Sequence, residues 1–145
     1  MKKITWWHRI KLSTGYTPGM VLHGEDGGTW TATRFGLTPS LKDKTVIDVG
    51  AWDGFFSFEA EKLGAKQVVA VDIYQRDSGL KLYNQCQLVR MALNSNVIFM
   101  PNGNVHSLHT FTKELQANLG ISDGFDVVQG LGLLYHLEHP VLGLQ

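Results

Sequence analysis

The chain has a single cysteine, Cys86, and only four prolines among its 145 residues. One thiol excludes an intrachain disulfide and suits a reducing compartment, so the cytoplasm is the expected location. No apolar run approaches the ~20 residues of a membrane-spanning helix. Lys2 and Lys3 are not followed by the apolar stretch of a secretory leader. No membrane partner is therefore expected. Charge of either sign is not in excess, because 13 Lys and Arg balance 13 Asp and Glu. That balance removes the general attraction to nucleic acid or anionic lipid that a basic chain has. The one local basic cluster is Lys2, Lys3, Arg9 and Lys11, which reads as a solvated terminus. Repeats and low-complexity tracts are missing too. What is there is 43% hydrophobic and 18% charged, the balance of a chain that folds around one core. A single domain of this length buries ~68% of its unfolded surface.

Residues 1–44 are of mixed character, and residues 45–145 alternate strand and helix patterns. The first part is expected to be an extension or lid. It carries Trp6, Trp7, Trp30 and Phe35, turns at Thr17-Pro18-Gly19 and Glu25 to Gly28, a short edge strand through His8, Ile10 and Leu12, and a short helix near 29–35 ending at Gly36. In the second part, buried strands are expected at Val46–Val49, Val68–Asp72, Val97–Met100 and Phe125–Gln129. Helices are expected at Phe55–Leu63, closed by Gly64, at Leu80–Leu93, and after Ser107 as cap, with Leu108, Phe111, Leu115 and Leu119 on one face. A short helix is expected in Leu133–Leu137. Alternation of this kind gives a Rossmann-like, three-layer α/β domain with a parallel sheet. Its strand order is 3-2-1-4, and a ligand belongs at the carboxyl ends of strands 1 and 4, where the order reverses.

The chemistry concentrates in TVIDVGAWDG at 45–54 and VVAVDI at 68–73. An apolar strand breaks into Gly50-Ala51-Trp52-Asp53-Gly54, and the next strand ends on Asp72. Strand, glycine turn, helix and strand-end carboxylate make a nucleotide-type cofactor site, with Asp72 placed to accept from both ribose hydroxyls and Ile73 placed to pack on an adenine face. Gly50 and Gly54 let the backbone come close to the ligand. The dinucleotide fingerprint is G-x-G-x-x-G, and this turn is D-x-G-x-x-x-G. Asp53 adds a negative charge at the helix N-terminus, where a pyrophosphate would sit. NAD is thus disfavoured against a phosphate-free cofactor with a cationic part, and S-adenosyl-L-methionine fits. Trp52 walls the methionine side of such a ligand or covers the core, and both readings stay open.

With DVGAWDGFFSFEAEKLGAKQVVAVD, the sequence resembles class I S-adenosylmethionine-dependent methyltransferases, in particular the group of the tRNA wobble-uridine methyltransferase and its uncharacterised relatives. The resemblance implies that Asp48 orients the glycine loop and meets the amino-acid end of the cofactor. It adds Ala51, Asp53 and Gly130 to the cofactor-binding positions. Where the family usually has glycine, aspartate and an apolar residue beside the adenine, this chain has Gly103, Asn104 and Val105. The amide of Asn104 accepts that hydrogen bond without charge assistance. GLGLLYHLEHP at 130–140 resembles the family's L-Y-H-L-x-H-P signature and implies Tyr135 and His136 as catalytic residues, His136 as proton acceptor. Packing of the pocket by both is the alternative. WWHRIKLSTGYTPG at 6–19 resembles the family's leading segment, and Trp7, His8 and Tyr16 then line the cleft, unless the segment merely anchors the terminus.

The implied function is methyl transfer to a small-molecule or tRNA nucleophile. The alternatives are a truncated cofactor-binding module without transfer and, more remotely, an NAD-binding domain. No metal is expected, although His106/His109 and His136/His139 are each spaced H-x-x-H, because a structural zinc usually recruits cysteine. The resemblance implies three further strands after the fourth, and the chain stops at Gln145 before any of them. Strand 4, with Phe125, Val127 and Val128, is then an edge, and pairing with a second copy is expected there.

Overall fold

The computed structural model describes residues 6–20, 40–74, 77–101, 108–121 and 124–141. A small antiparallel pair comes first, β1 (Lys11–Leu12) and β2 (Gly15–Tyr16). It is followed by β3 (Thr45–Val49), α1 (Phe55–Lys62), β4 (Gln67–Val71), α2 (Asp77–Ala92), β5 (Ile98–Met100), α3 (Leu108–Leu119) and β6 (Val127–Gln129). A single turn of 3-10 helix, Leu134–His136, comes last. The main sheet is parallel in the order β5-β4-β3-β6, which is the expected 3-2-1-4. The expected helix at 29–35, the turn at 25–28, the Ser107 cap and the adenine-side residues Asn104 and Val105 lie outside the described residues.

β-Branched residues dominate β3 and β4, and a strand's period of two sends them to both faces. Val46, Val68 and Ala70 pack on one face with Phe58 and Ala60 of α1 and Leu82, Cys86 and Val89 of α2. Ile47, Val49, Val69 and Val71 pack on the other with Leu115 of α3. Burial on both faces explains why these strands read as continuous apolar runs. Three layers result, with the apolar mass on either side of β3 and β4.

The last strand is shorter than the expected Phe125–Gln129 and the second helix runs Asp77–Ala92 rather than Leu80–Leu93, and two elements differ more deeply. The strand through His8, Ile10 and Leu12 is reduced to the two-residue β1, because Thr17 ties the backbone instead. Its Oγ1 accepts from the Ile10 N–H at 2.8 Å and donates to the His8 carbonyl at 3.0 Å. Helix α1 does not bury a single stripe of Phe56, Ala60 and Leu63. Phe55, Ser57, Phe58, Glu59 and Ala60 are all buried, and Phe56 and Leu63 only partly. The reason is a second covering surface. Trp6 and Ile10 join the core, and the His8 ring stacks on Phe55 at 4.7 Å and meets Phe56 edge-on at 5.2 Å.

Candidate functional site

Strands β3, β4 and β6 deliver three loops to one end of the sheet. The first, Gly50 to Gly54, turns sharply. The Gly50 and Ala51 amides donate to the Val71 carbonyl at 2.8 and 3.2 Å, and Gly54 donates to Ala51 at 2.8 Å. Three residues take left-handed φ angles: Gly50 at 76°, Trp52 at 48° and Gly54 at 77°. Glycine does so freely, whereas a bulky residue such as Trp52 is strained by ~1–3 kcal/mol.

The two glycines have different neighbours from those expected. A Cβ on Gly54 would lie 2.6 Å from the Phe99 ring and 3.2 Å from Phe58. The Cβ side of Gly54 therefore belongs to the core packing of α1 against β5. A Cβ on Gly50 would meet the Leu133 side chain at 3.0 Å. That contact joins the first loop to the loop after β6, across the point where strand order reverses. Gly130 has open space around it.

Asp72 stands at the end of β4. Its Oδ2 accepts from the Trp52 N–H at 2.7 Å, and its Oδ1 accepts from its neighbour Ile73 at 2.6 Å. The carboxylate is thereby fixed by two backbone amides, and each oxygen retains lone-pair capacity. The two residues whose amides hold it both carry exposed apolar side chains, Trp52 at 50% and Ile73 at 55% exposure.

Asp48 lies in β3 beneath the loop, buried, with Ser57 Oγ donating to its Oδ2 at 2.6 Å. Burial pushes its carboxyl up to about 6, and the neighbouring Asp72 and Asp53 charges push the same way, against the Ser57 hydrogen bond and His8. Next to it in register is Gln129 of β6, only 3% exposed, whose Oε1 has no hydrogen-bond partner.

Asp53 is fully buried and turned to the protein. Its Oδ2 accepts from the Trp7 and His8 amides at 3.1 and 2.8 Å, and its Oδ1 lies 2.7 Å from His8 Nδ1. The expected charge beside a ligand is thus engaged with the N-terminal segment. Tyr135 and His136 sit on the 3-10 turn after β6, both exposed, with ring centroids 4.1 Å apart. Two residues that the sequence does not mark lie under the loop. Tyr74 Oη donates to the Trp52 carbonyl at 2.8 Å, and Cys86 Sγ lies 3.5 Å from the same oxygen. Burial pushes the Cys86 thiol up to about 12. Tyr74 and Cys86 stand 22 and 34 residues beyond Trp52, a distance no local pattern reveals.

A family model for FtsJ-like methyltransferases matches residues 29–140. The chain belongs to this family. Among curated relatives, a tRNA U34 carboxymethyltransferase of Pseudomonas savastanoi is 28% identical over 123 residues, covering 85% of this chain and 34% of that protein. A ribosomal protein L11 methyltransferase of Thermotoga petrophila is 46% identical over 65 residues, covering 44% of this chain and 23% of that one. The chain therefore spans about a third of the length of the first of these relatives and about a quarter of the second. A crystal structure from Methanococcus maripaludis, assigned as an S-adenosyl-L-methionine-dependent methyltransferase, aligns over 82% of this chain and 46% of its own, with a TM-score of 0.55 at 19% identity. It shares the fold, and the expected α/β class stands.

Proposed function

We propose that the chain is the cofactor-binding part of a methyltransferase and takes S-adenosyl-L-methionine at the ends of β3, β4 and β6. The observation that carries this reading is Asp72: a carboxylate with spare acceptor capacity, held by the backbone amides of two residues with exposed apolar side chains, Trp52 and Ile73. A nucleoside offers what that arrangement can use, two vicinal hydroxyls and a flat base. Asp72 would accept from the ribose hydroxyls, and Ile73 with Asn104 and Val105 would face the adenine. Gly50, Ala51 and Gly130 would border the amino-acid end, where the buried Asp48 carboxyl, raised to about 6, favours a cationic neighbour that restores its charge. Trp52 would flank the ribose. Gly54 and Asp53 support the loop from behind.

Bound there, the cofactor supplies an electrophilic methyl group. The chain's own contribution is alignment. Tyr135 and His136 would meet the acceptor, His136 receiving its proton. The named substrate of the carboxymethyltransferase relatives favours a tRNA acceptor, and the net charge of zero favours a small molecule. The exposure of Tyr135, 78%, supports a second reading, a binding module without transfer of its own, because no wall encloses the acceptor side among the described residues. We place the protein in the cytoplasm. Among the described residues, no helix is long and apolar enough to cross a membrane. We also assign self-association to the outer edge of β6, where Val128 is exposed.

Calorimetry with S-adenosylhomocysteine tests the site. Asp72→Ala removes two hydrogen bonds to a charged acceptor, each ~1.5–3 kcal/mol, so affinity falls at least tenfold. Unchanged affinity, or tighter binding of NAD by the parent chain, overturns the assignment. Tyr135→Phe and His136→Ala are expected to leave affinity within a few-fold and to lower methyl transfer. Joint loss of binding and stability would make them packing residues.

A further inference from the structure

Trp52 occupies a position that asks for glycine. Its φ of 48° is left-handed, the residue is half exposed, and the two peptide groups that flank its Cα are each held. The N–H goes to Asp72, and the carbonyl receives the Tyr74 hydroxyl at 2.8 Å, with Cys86 Sγ at 3.5 Å. Tyr74 is itself immobilised. It is 1% exposed, its N–H donates to Asp72 and Pro101 carbonyls at 3.1 and 3.2 Å, and its ring packs on Tyr83 at 5.6 Å. A strained residue persists only where its surroundings over-determine it, and such strain collects at ligand-binding loops. Were Trp52 to relax to negative φ, its peptide would rotate, and the carbonyl would leave a buried hydroxyl without a partner.

We propose that Tyr74, seconded by Cys86, is a positioning residue: it locks the Trp52 peptide left-handed so that the indole stands beside Asp72 as one wall of the ligand site, opposite Ile73. Tyr74 touches no ligand and acts through Trp52. The ligand class such a site selects is one with a hydroxylated sugar between two apolar surfaces. The proposal rests on the nucleoside reading of Asp72, and its test separates the two.

The test uses the full chain, S-adenosylhomocysteine as probe, and Trp52→Gly as the background that needs no lock, since glycine takes a left-handed φ freely. Tyr74→Phe is expected to weaken probe binding about fivefold in the parent, the effect of one neutral hydrogen bond, and less than twofold in the Trp52→Gly background. In ligand-free protein, the Trp52 amide, read by hydrogen exchange, is expected to exchange at least fivefold faster in Tyr74→Phe. Cys86→Ser, which keeps a donor, should leave it near the parent rate. Equal weakening in both backgrounds, or unchanged Trp52 exchange, makes Tyr74 an ordinary core residue and overturns the proposal. A parent chain that binds no probe overturns the nucleoside reading alone, and the exchange rates still decide the lock.

Discussion

The two sides of the glycine loop are built differently. Behind it, toward α1, everything is fixed: Asp53 is buried against Trp7 and His8, Phe99 fills the space at Gly54, and Tyr74 grips Trp52. In front, on the β6 side, Leu133 reaches the loop, while Val128, Leu134, Tyr135 and Val141 are exposed. The contrast separates two tasks. A loop that carries a strained conformation needs a rigid back, because strain relaxes wherever the support gives. A side that receives a second molecule has to be open.

The largest break in this comparison is expected from Asp53→Ala. It removes the acceptor shared by the buried His8 amide, the part-buried Trp7 amide and His8 Nδ1, so a loss of ~3–5 kcal/mol is expected in urea unfolding. A loss under ~1 kcal/mol would mean that residues 6–20 are not anchored through this carboxylate. Next comes a pair of glycines. Gly54→Ala combines a φ of 77° with a 2.6 Å approach to Phe99, and ~2–4 kcal/mol is expected to be lost. Gly130→Ala, in open space, should fall within ~0.5 kcal/mol. Equal costs would erase the distinction between back and front.

A pH series sharpens the picture between the layers. The Asp48 carboxyl rises from an ordinary 3.8 to about 6 on folding. Across that window the folded chain keeps a proton that the unfolded chain has released. Its contribution is therefore greatest in acid, declines as pH rises from about 4 to 6, and is constant above. A displacement of this size corresponds to ~3 kcal/mol. Asp48→Asn, which can still accept from Ser57, should remove that slope and unfold at higher urea than the parent at pH 7. A parent whose stability rises over the same window would show that Asp48 is charged throughout. The smallest expected effect is on the open side. Val128→Lys places a charge on an exposed edge position, so stability should change by less than ~0.5 kcal/mol while light scattering reports loss of self-association. Val127 is the poorer probe, since it packs against the core.

The architecture was legible where chemistry repeats along the chain. Val46, Ile47, Val49 and Val68 to Val71 declare strands buried on both faces, and the order of helices between them leaves little freedom of topology. The place of Asp72 at the end of β4 was legible because a carboxylate closes the apolar run. What stayed hidden depends on partners far apart in sequence. The tie from Asp53 to His8, 45 residues earlier, has no local signal. Nor has the packing of Phe99 against Gly54. Tyr74 and Cys86 carry no local signal, and it is the Trp52 carbonyl that brings the hydroxyl and the thiol together.

The seat of Leu133 against Gly50 has a consequence for chain length. The stretch from Gly130 to Leu133 spans a fixed gap, since one end leaves β6 and the other is lodged on the turn after β3. One residue inserted there would lift Leu133 from its seat and slide the following turn along the sheet's end. The same insertion after His136 would meet exposed chain and displace nothing upstream. The gap therefore works as a gauge: it meters where Tyr135 and His136 stand relative to Asp72, and variation in length is tolerated only past it.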